Sequence, residues 1–245
     1  MFPILLSLGP IKIYTYGVAM ALGLFTALYY WWKMGRDEHF DEIALFDGYF
    51  LSAISFLVGA RIGYVLLNLG KVGSLYRSLA ILAFPGLNIA IGVVIATIFM
   101  IYFARAQNWD VWKVGDSYSV TMALASVFAM IGHGLNATLD LKLNILNVVW
   151  AILMFVLVFR VRKDFRFYSW YKGEASTAQE GLASLVYVLG IGIYFLLKSA
   201  IGFVSIAEII GAVVMICASL YMIEQRVGRR DNTLWGRIKG LIRRK

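Results

Sequence analysis

The chain has a single cysteine, Cys217, and only two histidines among its 245 residues. One cysteine excludes an internal disulfide framework and any metal cluster built on cysteines. Because Cys217 sits in an apolar run, we expect it to be a small packing residue. The sequence contains no nucleophilic triad, no metal-ligand spacing and no phosphate-cradling glycine loop. Any catalysis must therefore use few protein groups and a reactive substrate, and we expect no cofactor and no metal.

Two targeting and fold signals are also missing from the sequence. Residues 1–14 have no basic segment before an apolar core, so we expect no cleaved signal peptide. The alternation that marks a membrane β-barrel is not visible either. By contrast, 61% of the residues are hydrophobic and the mean hydropathy is +0.76. Several apolar runs exceed the roughly 20 residues that cross a bilayer, which predicts an all-α polytopic membrane protein.

The apolar runs predict seven transmembrane helices after a short amphipathic lead-in at residues 1–12. The third run is interrupted by Phe84-Pro85-Gly86, so it is either kinked or preceded by a separate short segment at 79–83. The predicted spans are 13–32, 43–69, 78–104, 114–135, 143–159, 181–201 and 204–223. They form one predicted domain, 1–223, followed by a basic tail, 224–245. The tail is either an amphipathic helix on the inner leaflet or a disordered basic segment.

The distribution of basic residues predicts the orientation in the membrane. With seven spans, seventeen of the 23 lysines and arginines fall in loops and tail on one side, and four fall on the other. The N-terminus is therefore predicted outside and the C-terminus in the cytoplasm. The net charge of +9 is spread over every inner loop, which argues against a nucleic-acid partner.

Arg61 is the most costly residue in these apolar runs. Its guanidinium stays charged, at a cost at mid-membrane between roughly 3 and more than 10 kcal/mol. We expect a polar contact within the bundle to offset that cost. The predicted orientation places several other polar groups at the same outer depth: Tyr14, Tyr16, His133, Asn136, Lys198 and Glu208.

Two interpretations of this polar layer remain open. Two or three cations against one carboxylate suit an anionic ligand, such as a phospholipid head group of the outer leaflet. Alternatively, Lys198 and Tyr14 snorkel to the surface, Glu208 pairs with Lys198, and His133 caps a helix end.

Three stretches resemble the prolipoprotein diacylglyceryl transferases of bacteria. Residues 8–17, Leu-Gly-Pro-Ile-Lys-Ile-Tyr-Thr-Tyr-Gly, resemble the family's opening. Residues 59–66, Gly-Ala-Arg-Ile-Gly-Tyr-Val-Leu, resemble its second-span motif, and Val114-Gly115-Asp116 resembles the start of its fourth span. The resemblance implies seven spans with the N-terminus outside.

The resemblance also implies an activity and a site. Family members move diacylglycerol from phosphatidylglycerol to the lipobox cysteine of a preprolipoprotein, in the bacterial plasma membrane, so the nucleophile comes from the substrate. The implied partners are phosphatidylglycerol, the lipobox segment and inner-membrane lipids. The candidate catalytic residues are His133, Asn136 and Tyr16, and the candidate substrate-binding residues are Arg61, Tyr64, Gly63, Gly17, Lys198 and Glu208.

The chain departs from the family's fourth-span signature, Gly-Arg-x-Gly-Asn-Phe-x-Asn-Gly-Glu. Met130 stands where the family has an arginine, His133 where it has the first asparagine, and Phe195 near its sixth-span arginine. His133 is then either a base or a hydrogen-bond donor to the phosphate, and Lys198 replaces the missing arginine as a point charge. Three functions stay open: a divergent transferase, a noncatalytic relative that binds phospholipid or a membrane partner, and a small transporter bundle.

Overall fold

The long apolar runs form helices, because a helix satisfies its own backbone N–H and C=O groups in lipid. A computed structural model of the chain describes residues 4–8, 11–69, 86–135, 141–167, 180–200 and 206–227. Seven helices lie within these residues: α1 (Thr15–Asp37), α2 (Glu42–Leu67), α3 (Ile89–Ala106), α4 (Val111–Leu135), α5 (Leu141–Phe167), α6 (Leu182–Ala200) and α7 (Ile206–Val227). Six of them, α2 to α7, are long and apolar enough to cross a membrane.

The all-α, polytopic class predicted from composition is thus confirmed over the described residues. The seven-span count depends on α1, which is not among the six, and it stays a prediction. α5 runs eight residues past the predicted end at 159, since Arg160, Arg162 and Lys163 are good helix formers and no glycine or proline intervenes. The proposed segment at 79–83 and most of the basic tail lie outside the described residues.

The lead-in is a β-hairpin, which the sequence interpretation missed. Strand β1 (Ile4–Leu8) pairs antiparallel with β2 (Ile11–Tyr14), with an irregularity in register between Ile4 and Leu6. Gly9 and Pro10, both common turn residues, separate the strands in sequence. Two β-branched residues in Ile11-Lys12-Ile13-Tyr14 favour the extended backbone. The predicted first helix accordingly begins two residues later than expected, at Thr15.

The described helices fall into two compact units, one of which comprises residues 30–114. Its α2 and α3 pack closely along their lengths. Near the start of α2, the Trp31 indole donates a hydrogen bond to the Leu45 carbonyl over 2.8 Å. The ring of Phe40 stacks on that of Trp109 at 4.5 Å. Lys113 and Glu38 form an ion pair at 3.7 Å, so polar and aromatic contacts tie the connecting segments together.

The other unit comprises residues 1–29 and 115–245. Small residues allow its helices to approach closely. A Cβ added at Gly23 of α1 would lie 2.8 Å from the Phe128 Cβ of α4, and one at Gly192 of α6 would lie 2.7 Å from Ile216 of α7. Such small-residue contacts are typical of helix packing in membranes.

Large apolar side chains cover much of the outer surface. Phe25 is 71% exposed, Ile43 74% and Tyr102 70%. A soluble protein rarely exposes so much contiguous apolar surface. This distribution is that of helices whose outer faces meet lipid.

Candidate functional site

A seam of small residues brings α2 and α3 together around Arg61. A Cβ at Gly63 would lie 2.6 Å from the Cβ of Ile91, and one at Gly59 would lie 2.7 Å from the Cβ of Ile95. A Cβ at Gly92 of α3 would lie 2.8 Å from that of Ala60. Only glycine at these positions permits the observed spacing, and the seam therefore fixes the helix that carries Arg61.

The segment leading into α3 is held against α2 by its backbone. The Asn88 N–H donates to the carbonyl of Ala60 over 2.8 Å. The Asn88 side-chain oxygen accepts from the N–H of Ile91 over 3.0 Å, which caps the start of α3. One asparagine thus anchors the segment and begins the helix.

Arg61 is buried in this unit, with 6% of its surface exposed. Its Nη1 donates a hydrogen bond to the carbonyl of Gly86 over 3.0 Å. Its Cζ lies 5.6 Å from the centre of the Tyr64 ring, within cation–π range. Because this charge is costly in an apolar helix, the sequence predicted a polar contact for Arg61 within the protein. That prediction is confirmed. Because Gly86 lies against the Tyr64 ring, a Cβ there would overlap it.

In the other unit, Tyr16 and His133 lie side by side where α1 begins and α4 ends. Their ring centres are 4.9 Å apart, with the planes tilted by 56°. Gly132 packs against Tyr16 and Ala19, and a Cβ there would be 3.0 Å from both. Two of the predicted catalytic residues are therefore neighbours. Gly17, next to Tyr16, is exposed and has no other atoms near the position of a Cβ.

The two ring nitrogens of His133 have different surroundings. Nδ1 is buried and has no hydrogen-bond partner among the described residues. The residue as a whole is partly exposed. The Tyr16 ring lies beside this imidazole.

Lys198 lies where α6 ends and Glu208 lies where α7 begins, and the two helices belong to the same unit. Lys198 is half-buried in the last turn of α6, with Nζ 5.7 Å from the centre of the Tyr194 ring. Glu208 is exposed in the first turn of α7. Asn136 lies outside the described residues, so its catalytic role stays a prediction. Arg61, Tyr64 and Gly63 belong to the 30–114 unit, and their grouping with His133 also stays a prediction.

Sequence reasoning did not select Asp116, which joins α4 to the start of α6. Its Oδ2 accepts from the N–H of Gly181 over 2.7 Å, and its Oδ1 from the N–H of Ser184 over 2.9 Å. Gly181 has φ of 99°, a conformation that favours glycine. A carboxylate at a helix N-terminus is stabilised by the helix dipole. The signal was an aspartate in an apolar run, but its partners lie 65 and 68 residues away.

Asn147 of α5 was also missed. It is buried, with 6% of its surface exposed, and its Oδ1 accepts a hydrogen bond from the Tyr194 hydroxyl over 2.6 Å. Among the residues that the structure describes, no three or more His, Cys, Asp and Glu side chains come together as a metal site would require.

The sequence is similar to known proteins of one family. The family model for prolipoprotein diacylglyceryl transferase matches residues 3–140. A phosphatidylglycerol–prolipoprotein diacylglyceryl transferase of Agrobacterium fabrum is 28% identical over 172 residues, 61% of this chain and 56% of that protein. One from Fusobacterium nucleatum is 26% identical over 205 residues, 82% of this chain and 67% of that protein.

A third relative of the same name, from Clostridium tetani, is 28% identical over 134 residues, 54% of this chain and 53% of that protein. The chain thus spans between about half and two thirds of the length of these curated relatives. The family model covers more than half of this chain. The chain belongs to the prolipoprotein diacylglyceryl transferase family.

Proposed function

We propose that this protein transfers diacylglycerol from phosphatidylglycerol to the cysteine thiol of a preprolipoprotein lipobox. The work is done at the outer leaflet of a bacterial plasma membrane. Family membership and the names of the relatives support the reaction. Six apolar helices support a multi-pass membrane location. The basic residues of the predicted inner loops and tail support the orientation.

The proposed step exchanges one bond for another. The substrate thiol loses its proton, and the sulfur attacks the glycerol carbon that carries the phosphodiester. A C–S bond forms, the C–O bond breaks, and glycerol phosphate leaves with the electron pair. The protein has two tasks: to accept the thiol proton and to stabilise the phosphate charge as it develops.

The observation that carries the proposal is the arrangement of His133 beside Tyr16. A histidine titrates near neutral pH and suits general-base work. Nδ1 is buried without a hydrogen-bond partner among the described residues, so we assign the thiol proton to Nε2. The Tyr16 ring, 4.9 Å away, restricts rotation of the imidazole. With His133 as the base, the protein can catalyse the transfer without the asparagine that the family's signature has at this position.

The test is a transfer assay with purified protein, phosphatidylglycerol and a lipobox peptide. Wild type should yield lipidated peptide and an equal amount of glycerol phosphate. His133→Ala and His133→Asn should both slow transfer by about 100-fold or more, the usual range for a lost general base.

The asparagine variant separates the two roles that the sequence leaves open. If His133 only donates a hydrogen bond to phosphate, His133→Asn retains most of the activity, and the base assignment fails. His39→Asn, in an exposed turn, is the matched control and should transfer at the wild-type rate.

A second candidate function is phospholipid binding without transfer. Met130 stands where the fourth-span signature has an arginine, and Phe195 stands near the position of the sixth-span arginine, which favours this alternative. It predicts that wild-type protein binds phosphatidylglycerol but yields no lipidated peptide. Absence of both binding and transfer would contradict the two proposals together.

A further inference from the structure

A cluster of polar and aromatic groups joins α5 to α6. It consists of Asn147 and Trp150 on α5 and Tyr194 and Lys198 on α6. Asn147 is buried, and an amide taken out of water costs free energy unless it is hydrogen-bonded. The Tyr194 hydroxyl donates to Asn147 Oδ1 over 2.6 Å, a short and therefore strong contact.

Two further contacts hold the Tyr194 ring in place. The Trp150 ring stacks on it with a centre-to-centre distance of 6.3 Å and an interplanar angle of 28°. Phe195 meets it edge-on at 5.7 Å. The hydroxyl and the ring are thus both fixed, so the Tyr194 ring is a rigid surface rather than a mobile side chain.

Lys198 rests on that surface. It lies four residues after Tyr194, the spacing that brings two side chains onto one face of a helix. Its Nζ is 5.7 Å from the ring centre, within the roughly 6 Å of a cation–π contact. Within the described part of the chain, no carboxylate is found in an ion pair with Lys198.

A lysine on an apolar helix that is held by a ring instead of a carboxylate presents its N–H donors to a ligand. Its three N–H donors suit a phosphodiester oxygen. The same arrangement disfavours a zwitterionic head group. A bare Trp–Tyr pair suits a quaternary ammonium, but here Lys198 covers the Tyr194 ring and repels a second cation. Selection by repulsion adds to selection by attraction.

We propose that Lys198 is a specificity-determining residue for an anionic phospholipid head group, and that Asn147 positions it through Tyr194. This inference rests on the proposed function, since it names the group that chooses the lipid. The ligand chemistry is a phosphodiester without an ammonium. Asn147 acts on the lipid only through Tyr194 and Lys198, so it is a positioning residue.

The experiment measures lipid affinity of the full chain for phosphatidylglycerol and for phosphatidylcholine, with melting temperature recorded separately. Wild type should prefer phosphatidylglycerol. Lys198→Gln should lower the affinity ratio about tenfold, the effect expected for one charge-assisted hydrogen bond. Lys198→Arg keeps the charge and should retain most of the ratio. Lys142→Gln, an exposed lysine at the start of α5, is the matched control and should leave the ratio unchanged.

Asn147→Leu and Tyr194→Phe test the positioning role. Both remove the hydrogen bond while keeping a side chain of similar volume. Each should lower the ratio by a smaller factor than Lys198→Gln and have little further effect in the Lys198→Gln background. If Asn147 is merely structural, the melting temperature falls in both variants and the lipid ratio does not, which would overturn its assignment.

The outcomes separate this inference from the proposed function. A wild-type protein that prefers phosphatidylglycerol yet transfers nothing would contradict the transferase proposal and leave the Lys198 assignment standing. A Lys198→Gln protein that transfers normally and keeps the wild-type ratio would contradict the Lys198 assignment and leave the transferase proposal intact.

Discussion

At the scale of single residues, Arg61 shows how a charge is accommodated in an apolar helix. The guanidinium is held between a backbone carbonyl, that of Gly86, and the face of the Tyr64 ring. Both of these partners are uncharged. Both contacts depend on a glycine at position 86, because any larger residue there would overlap the Tyr64 ring.

Arg61→Met should separate binding from folding. Methionine removes the buried charge and its desolvation cost while keeping a side chain of similar volume. Loss of a phosphate-holding cation weakens catalysis by about 100-fold or more. We therefore expect the rate of diacylglycerol transfer from phosphatidylglycerol to fall by that factor, while the melting temperature stays close to that of wild type. Activity assay and thermal unfolding on the same preparation measure both.

Arg105→Met, at the exposed end of α3, is the control for loss of an arginine and should change neither quantity. A fully active Arg61→Met protein would mean that Arg61 serves the structure alone. A steep loss of melting temperature would mean that its bond to Gly86 holds the start of α3 in place.

The sequence predicted that Arg61 needs a polar contact, but it could not predict which. The energetic argument requires only that the charge be satisfied. The acceptor is a backbone carbonyl 25 residues away, and carbonyls carry no sequence signal. The same limit applies to Asp116 and Asn147, whose partners lie on other helices. Polar residues in apolar runs can be found from sequence, whereas their partners require the packing.

At the scale of elements, the positions of the helices follow from hydropathy because length and apolar content decide them. Predicted and observed helices differ by a few residues at most ends, by eight at the end of α5 and by eleven at the start of α3, which begins at Ile89. The hairpin was missed because its strands are short, and a period-2 pattern over four or five residues is hard to distinguish from an amphipathic lead-in. The sequence also could not predict which helices pack together, since this depends on which residues of a neighbouring helix each glycine contacts.

Gly63→Ala tests whether glycine contacts set the spacing of α2 and α3. The added methyl would lie 2.6 Å from the Cβ of Ile91, a branched and inflexible neighbour. Overpacking of this kind costs about 1–3 kcal/mol, so the melting temperature should fall measurably in detergent. The change should also disturb the contacts of Arg61, two residues earlier, and reduce phosphatidylglycerol affinity.

Gly211→Ala is the matched control within a helix. A Cβ at Gly211 has no atoms within 4 Å, and alanine favours helix by up to about 1 kcal/mol over glycine. Its melting temperature should equal or exceed that of wild type. Equal behaviour of the two alanine variants would show that the α2–α3 seam tolerates wider spacing.

At the scale of the whole molecule, orientation in the membrane links the helices to the proposed chemistry. The asymmetry of lysines and arginines predicts the direction from sequence alone, since basic loops are retained on the cytoplasmic side. The hairpin before α1 is thus predicted outside, and the connection between α3 and α4 inside. Both segments offer exposed positions for labelling, Ser7 in β1 and Gln107 after α3.

Labelling of single cysteines in intact cells tests this direction. In a Cys217→Ser background, Ser7→Cys should react with a membrane-impermeant maleimide before lysis, and Gln107→Cys only after it. Unaltered protein serves as the reference for Cys217, which is exposed on an apolar helix face. The reverse pattern would place Tyr16, two residues after the hairpin, on the cytoplasmic side. Transfer at the outer leaflet by the Tyr16–His133 pair would then be wrong, even if the purified protein lipidates a peptide in detergent.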